Sequence, residues 1–126
     1  MAKKDYRGLV AWQKAMLPVE DAYAVVRLMP REETFALSDQ IRRAAISIPS
    51  NIAEGYARGT DKEAIRFLQI AQGSRAELET QFELCLRIGY ITQDKWDTLF
   101  GQTQEVGRIL TGLIKSIKAR LTTENL

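Results

Sequence analysis

Apolar residues recur along the chain at three- and four-residue steps, in four runs separated by three interruptions. The interruptions are Pro30 with Arg31-Glu32-Glu33, then Arg58-Gly59-Thr60-Asp61, then Gly89-Tyr90-Ile91-Thr92. A step of three or four is the period of one helix face. The runs are rich in residues that lose little side-chain freedom in a helix. No stretch alternates apolar and polar residues over strand length between turn signals, so the pattern predicts helices and no sheet.

The first helix is expected from about Arg7 to Leu28, with a core stripe of Trp12, Met16, Val19, Tyr23 and Val26. A second stripe, Val10, Leu17, Ala24 and Leu28, is more than one core contact needs. It fits either a wide buried face or a contact between subunits. The second helix is expected from about Thr34 to Ala57, with Leu37, Ile41, Ala44, Ile48 and Ile52 inward. Pro18 and Pro49 fall inside these helices, and each leaves a carbonyl one turn back without its partner, so each predicts a kink. The apolar phase continues through Pro49, so the helix is not expected to end there.

The third helix opens on Thr60-Asp61-Lys62-Glu63, the spacing of a capping box, and closes on Gly89, a natural C-cap. Its inward stripe is Ala64, Phe67, Ala71, Ser74, Leu78, Phe82 and Cys85; Gly73 and Ser74 would let another helix approach closely. The fourth runs from Thr92 to about Leu121 on Trp96, Leu99, Thr103, Val106, Leu110, Leu113, Ile117 and Leu121. Gly101, Gly107 and Gly112 weaken it, and close packing is one reason for them. Short links between long helices force antiparallel neighbours. The expected fold is an all-α, up-down-up-down antiparallel four-helix bundle. It forms one domain over residues 1–126, with frayed or disordered ends near 1–6 and 122–126.

Composition narrows the chemistry. A chain of 126 residues suits one core. Lys and Arg number 18 against 16 Asp and Glu, so a net charge of +2 names no partner by itself. Cys85 is the only cysteine and there is no histidine. No Ser-His-Asp, Cys-His or Glu-x-x-His arrangement can form, which argues against an enzyme and against a bundle metal site. No cofactor is implied, since Gly55-Tyr56-Ala57-Arg58-Gly59 lacks the lysine and context of a phosphate loop. The first residues do not resemble a signal peptide, and no run approaches the roughly 20 apolar residues that cross a bilayer. A cytoplasmic protein without a membrane role is expected.

Three polar groupings remain. Arg43, Ser47, Ser50, Asn51, Glu54 and Arg58 form a stripe along helix two. It reads either as internal pairing around Pro49, Glu54 with Arg58 for example, or as a recognition surface. Glu77, Glu79 and Glu83 read as a solvated acidic face. Arg108, Lys115, Lys118 and Arg120 gather late in helix four, where cations also complement the helix dipole. Arg108, Lys115 and Lys118 are the first candidates for phosphate contacts, with Arg42 and Arg58 second. Trp12, Trp96, Phe67 and Phe82 lie on core stripes and are poorly placed to stack on bases.

Several segments together carry a resemblance. They are Trp12-Gln13-Lys14-Ala15, the run from Leu37 to Gly55 centred on Ile46-Ser47-Ile48-Pro49-Ser50-Asn51-Ile52-Ala53-Glu54-Gly55, then Phe67 to Ser74, Glu77-Leu78 and Gly89-Tyr90. Over roughly residues 9–118 the chain resembles the bacterial four-helix-bundle family of proteins encoded in intervening sequences of 23S ribosomal RNA genes. Relatives of that family are accessory proteins of diversity-generating retroelements. The resemblance implies a homopentamer without catalytic activity, and in the retroelement relatives a basic barrel working with RNA. The chain departs from the pattern at Ala36 and at Tyr56-Ala57-Arg58, where glycine is more common. The readings in competition are an RNA-associated oligomer, a protein-binding scaffold or adaptor, and a small enzyme, for which the residues supply least.

Overall fold

Capping chemistry sets where each helix begins and ends. Thr60 is extended, and its hydroxyl accepts the Glu63 N–H at 3.2 Å, which starts helix α3 at Asp61. Only half of the capping box forms. The Glu63 carboxylate turns to Arg66 Nε at 2.8 Å rather than back to Thr60, because a guanidinium one turn on is a stronger partner than a neutral amide. Gly89 takes φ 97°, and its N–H reaches the carbonyls of Cys85 and Leu86, ending α3 at Ile88. Thr92 Oγ1 accepts from Lys95 N at 3.2 Å at the start of the last helix.

The same chemistry moves two predicted starts. Asp5 caps a separate 3-10 turn at Tyr6–Gly8, and extended Leu9 follows, so helix α1 begins at Val10 rather than Arg7. Thr34 Oγ1 donates to the Arg31 carbonyl at 2.7 Å and closes a 3-10 turn at Arg31–Glu33. Helix two therefore begins at Leu37 rather than Thr34. The computed structural model describes residues 5–124: α1 (Val10–Leu28), α2 (Leu37–Ala57), α3 (Asp61–Ile88) and α4 (Gln93–Glu124). No strand occurs among the described residues. Of the ends expected to fray, Asp5 and Tyr6 hold the first turn and α4 continues to Glu124. Residues 1–4, 125 and 126 lie outside the described residues.

Neighbouring helices run antiparallel. Ser47 on α2 meets Ser74 on α3, while Gly55 meets Ala64 and Phe67. Gln72 on α3 reaches Gly107 and Thr111 on α4, while Asp61 reaches Arg120. Lys14 on α1 pairs with Glu105 on α4 at 3.3 Å, closing the ring. Each helix packs on its two neighbours in the ring.

The core holds Ile41, Ile48 and Ile52 from α2, Leu68, Leu78 and Phe82 from α3, and Leu99, Val106 and Leu110 from α4, all fully buried. Burying each such side chain stabilises the fold by about 1.5–3 kcal/mol. The predicted stripes of α2, α3 and α4 thus face inward. That of α1 packs against the core only from the edge of the helix's buried face. Its buried seam is Ala11, Ala15, Pro18, Ala22 and Val25. Trp12, Met16, Val19 and Val26 sit half-buried at the rim, and Tyr23 is exposed. Small side chains let α1 lie close to its neighbours, and the large ones cover the seam from the side. Of the second stripe, Val10, Leu17 and Leu28 are exposed.

Helices α1 and α2 run through Pro18 and Pro49 without interruption, and both prolines are buried. The broadest contact is between α2 and α3. Gly55 sets its spacing: a Cβ there would lie 2.8 Å from Phe67 Cβ and 3.3 Å from the Ala64 backbone. Of the sites expected to admit a close helix, Ser74 is buried against Ser47, whereas Gly73, Gly101 and Gly112 meet nothing within 4 Å. Only Gly107 of the three α4 glycines makes a close contact.

Candidate functional site

Arg108, Lys115 and Lys118 stand on α4 seven and three residues apart, which places them along one flank of the helix. All three are exposed, and none forms an ion pair with a described residue. Arg120 differs: its guanidinium is bidentate to Asp61, with bonds of 2.8 and 3.1 Å. This contact ties the end of α4 to the start of α3 and holds the Asp61 carboxyl below its ordinary range.

The flank borders a cavity of about 300 Å³ between α3 and α4, lined by Arg75, Gln104, Gly107, Arg108 and Thr111. Its floor is a polar network. Arg75 Nη1 donates to Glu79 Oε2 at 2.8 Å, and Arg75 Nε donates to Gln72 Oε1 at 2.7 Å. Thr103 Oγ1 and Gln104 Nε2 donate to the same Glu79 oxygen at 2.8 and 2.7 Å. Gln72 Nε2 donates to the Gly107 carbonyl and to Thr111 Oγ1, both at 3.0 Å. Arg75 and Glu79 each keep only 17% of their side-chain exposure. Gly107 makes room, since a Cβ there would sit 2.7 Å from Arg75 Nε and 2.8 Å from Cζ.

This network corrects the sequence reading of the glutamates. Glu79 is not on a solvated acidic face; three donors from two helices converge on it. Glu83 pairs with Arg87 at 2.9 Å and Glu77 is exposed, so the three carboxylates do not act together. The i,i+4 spacing of Arg75 and Glu79 was the available signal for the pair. Nothing in one helix's sequence points to Thr103, Gln104 and Gly107 as its partners.

The other candidates belong to α2 and its C-terminal end. Arg42 is half-buried at the far end of the bundle, where its Nη2 donates to the Thr34 carbonyl at 3.2 Å. Arg58 pairs with Glu54 at 3.4 Å and lies 5.1 Å from the Phe67 ring centre, with Arg66 over the same ring at 4.4 Å. The helix-two stripe pairs mainly within the chain. Arg43 binds Asp39 at 2.9 Å, Ser47 shares a 2.7 Å hydrogen bond with Ser74, and Asn51 Nδ2 donates to the Ser47 carbonyl and hydroxyl at 2.8 Å each. Ser50 is exposed.

Two other polar groups are accounted for by packing. Cys85 is buried, and burial together with the Glu33 charge pushes its thiol up to about 11, which leaves it unreactive at neutral pH. Tyr90 donates to Glu33 Oε2 at 2.7 Å, tying the α1–α2 link to the end of α3. No group of three or more His, Cys, Asp and Glu that could hold a metal occurs among the described residues. Among them, no helix is long and apolar enough to cross a membrane.

The model of the 23S rRNA-intervening sequence protein family matches residues 7–112. Among solved structures, the chain is similar to a Bacteroides thetaiotaomicron protein described as of unknown function and from the S23 ribosomal protein family. The two share 27% identity and a TM-score of 0.78, over 84% of this chain and 99% of that one. No match was found among curated proteins.

Proposed function

The chain belongs to the 23S rRNA-intervening sequence protein family, and on that premise we propose that it is a non-enzymatic homo-oligomer that contacts RNA through backbone phosphates. The observation that carries the reading is the set of three exposed cations, Arg108, Lys115 and Lys118, on one flank of α4, none with an ion-pair partner among the described residues. Positive side chains that spend no charge on the fold are available to phosphates, and such contacts require no sequence motif. The large aromatics Trp12, Trp96, Phe67 and Phe82 are buried or half-buried, which favours charge over base stacking.

Oligomerisation is supported by the outer stripe of α1. Val10, Leu17 and Leu28 are 56%, 42% and 67% exposed at helical spacing, so the monomer leaves uncovered a face that a second copy can cover. Five subunits are proposed from the family resemblance. Symmetry would then repeat the basic flank around a ring. The cytoplasm is the proposed compartment.

The test is a titration of full-length protein with unrelated RNAs at several salt concentrations, alongside light scattering. Replacing Arg108, Lys115 and Lys118 together by glutamine should weaken all RNAs alike, with the oligomer intact. Each phosphate no longer neutralised should lower the salt slope by about one unit. Absence of binding at low salt removes the RNA reading. A protein-binding scaffold then stands in front, favoured by Phe35 and Ile88, which are 94% and 55% exposed at the far end of the bundle.

A further inference from the structure

The geometry points to a preformed phosphate site in the α3–α4 cavity, with Arg75 and Arg108 as its cationic walls and the Thr111 hydroxyl as a third donor. This deepens the RNA reading and rests on it for the occupant, a backbone phosphodiester.

Arg75 is the residue that turns a surface dent into a site. A guanidinium carries five N–H donors in a fixed plane. Two of the five go to Gln72 and Glu79, and the other three take no partner among the described residues. Those two bonds, with Gly107 underneath, fix the guanidinium before any ligand arrives, so little side-chain entropy remains to be lost on binding. A long cation that serves only its carboxylate partner would not need a glycine cut beneath it.

The other walls match in kind. Arg108 is exposed and lines the same cavity without an ion pair to a described residue. Thr111 Oγ1 accepts from Gln72, which leaves its own hydrogen to donate. Gln104 turns its amide onto Glu79 and positions that carboxylate rather than the ligand. Glu79 is the one carboxylate of the network, and Arg75, Thr103 and Gln104 already saturate its inward oxygen. The balance at the cavity is one positive charge with an excess of donors, which suits an oxyanion and no cation. Two planar guanidiniums favour phosphate, which they can grip bidentately. Lys115 and Lys118 continue along the same flank, where neighbouring phosphates of a strand would follow.

Three variants test the site in the full-length protein. Arg108→Gln removes one wall. Gly107→Ala changes no charge and pushes the Arg75 guanidinium aside. Lys95→Gln, at the far end of α4, is the control for charge alone. The probes are a uridine oligonucleotide of about twelve residues, followed by fluorescence anisotropy across salt, and inorganic phosphate, followed by 31P line broadening. Circular dichroism and light scattering confirm that each variant folds and assembles. Arg108→Gln and Gly107→Ala should each weaken the oligonucleotide about tenfold, the size of one charge-assisted hydrogen bond, with Lys95→Gln near wild type. If RNA binds and neither variant differs from Lys95→Gln, the phosphate site is overturned and the RNA reading stands. If RNA does not bind but inorganic phosphate does, and Gly107→Ala abolishes it, the site stands and the RNA reading falls. Binding of neither probe overturns both.

Discussion

Replacing Gly55 by alanine isolates the close approach of α2 and α3. In an open helix, glycine to alanine stabilises by about 1 kcal/mol, because alanine has less backbone freedom to lose. At Gly55 the new Cβ would lie 2.8 Å from Phe67 Cβ and 3.3 Å from Ala64 Cα and its carbonyl oxygen. None of these atoms is the end of a flexible side chain. Relief therefore requires α3 to back away by roughly half an ångström, and overpacking of this kind costs about 1–3 kcal/mol. The two terms oppose each other, so the net effect runs from about zero to a loss of about 2 kcal/mol. Gly112→Ala is the matched control, since its Cβ meets nothing within 4 Å and should gain up to about 1 kcal/mol. The assay is urea unfolding followed by helical circular dichroism, at one fixed protomer concentration because assembly contributes to apparent stability. The midpoint of Gly55→Ala should hold or fall and that of Gly112→Ala should rise, with unchanged slopes. If both variants gain equally, the tight α2–α3 contact does not exist as described.

Glu79→Ala takes the carboxylate from half-buried Arg75, which keeps only Gln72, from Thr103, which keeps only the Phe100 carbonyl, and from the Gln104 amide. A loss of about 2–3 kcal/mol in urea unfolding is expected, with Glu79→Gln recovering part of it; an unaffected midpoint would mean the network adds nothing to stability. Tyr90 should titrate late, since its bond to Glu33, burial and the Glu33 charge raise it from 10.0 to about 12. Its pKa is higher folded than unfolded, so its contribution to stability is complete below about pH 10 and is lost as pH rises toward about 12. Absorbance titration of Tyr90→Phe against wild type reads this directly, and a Tyr90 transition found near pH 10 would contradict the bond. Asp61 behaves oppositely: Arg120 depresses its carboxyl below 3.8, so the tie to α4 holds above that pH and is lost as pH falls through the lower folded value. Amide exchange in the last turns of α4 should rise only below about pH 4, and Asp61→Asn should remove the step.

Much of this bundle was legible in one dimension. Ile41, Ile48 and Ile52 on α2, and Leu78 and Phe82 on α3, are large apolar residues at helical spacing, and size and period point to the same face. Thr60 and Gly89 mark the ends of α3 because capping depends on the residue and its own backbone. On α1 the same reasoning lands on the edge of the buried face rather than its centre. The buried seam of Ala11, Ala15 and Ala22 is chosen by how near the neighbouring helices lie, a distance that hydrophobicity along one helix does not encode. The basic flank of α4 was visible as charge and spacing, and the cavity beside it was not. Arg75, Glu79, Thr103, Gln104 and Gly107 meet only because α3 and α4 pack antiparallel in one particular register. Slide one helix by a turn and the same residues make no network. Hydrogen bonds between helices depend on ångström-scale placement, and that placement is fixed by the whole core at once.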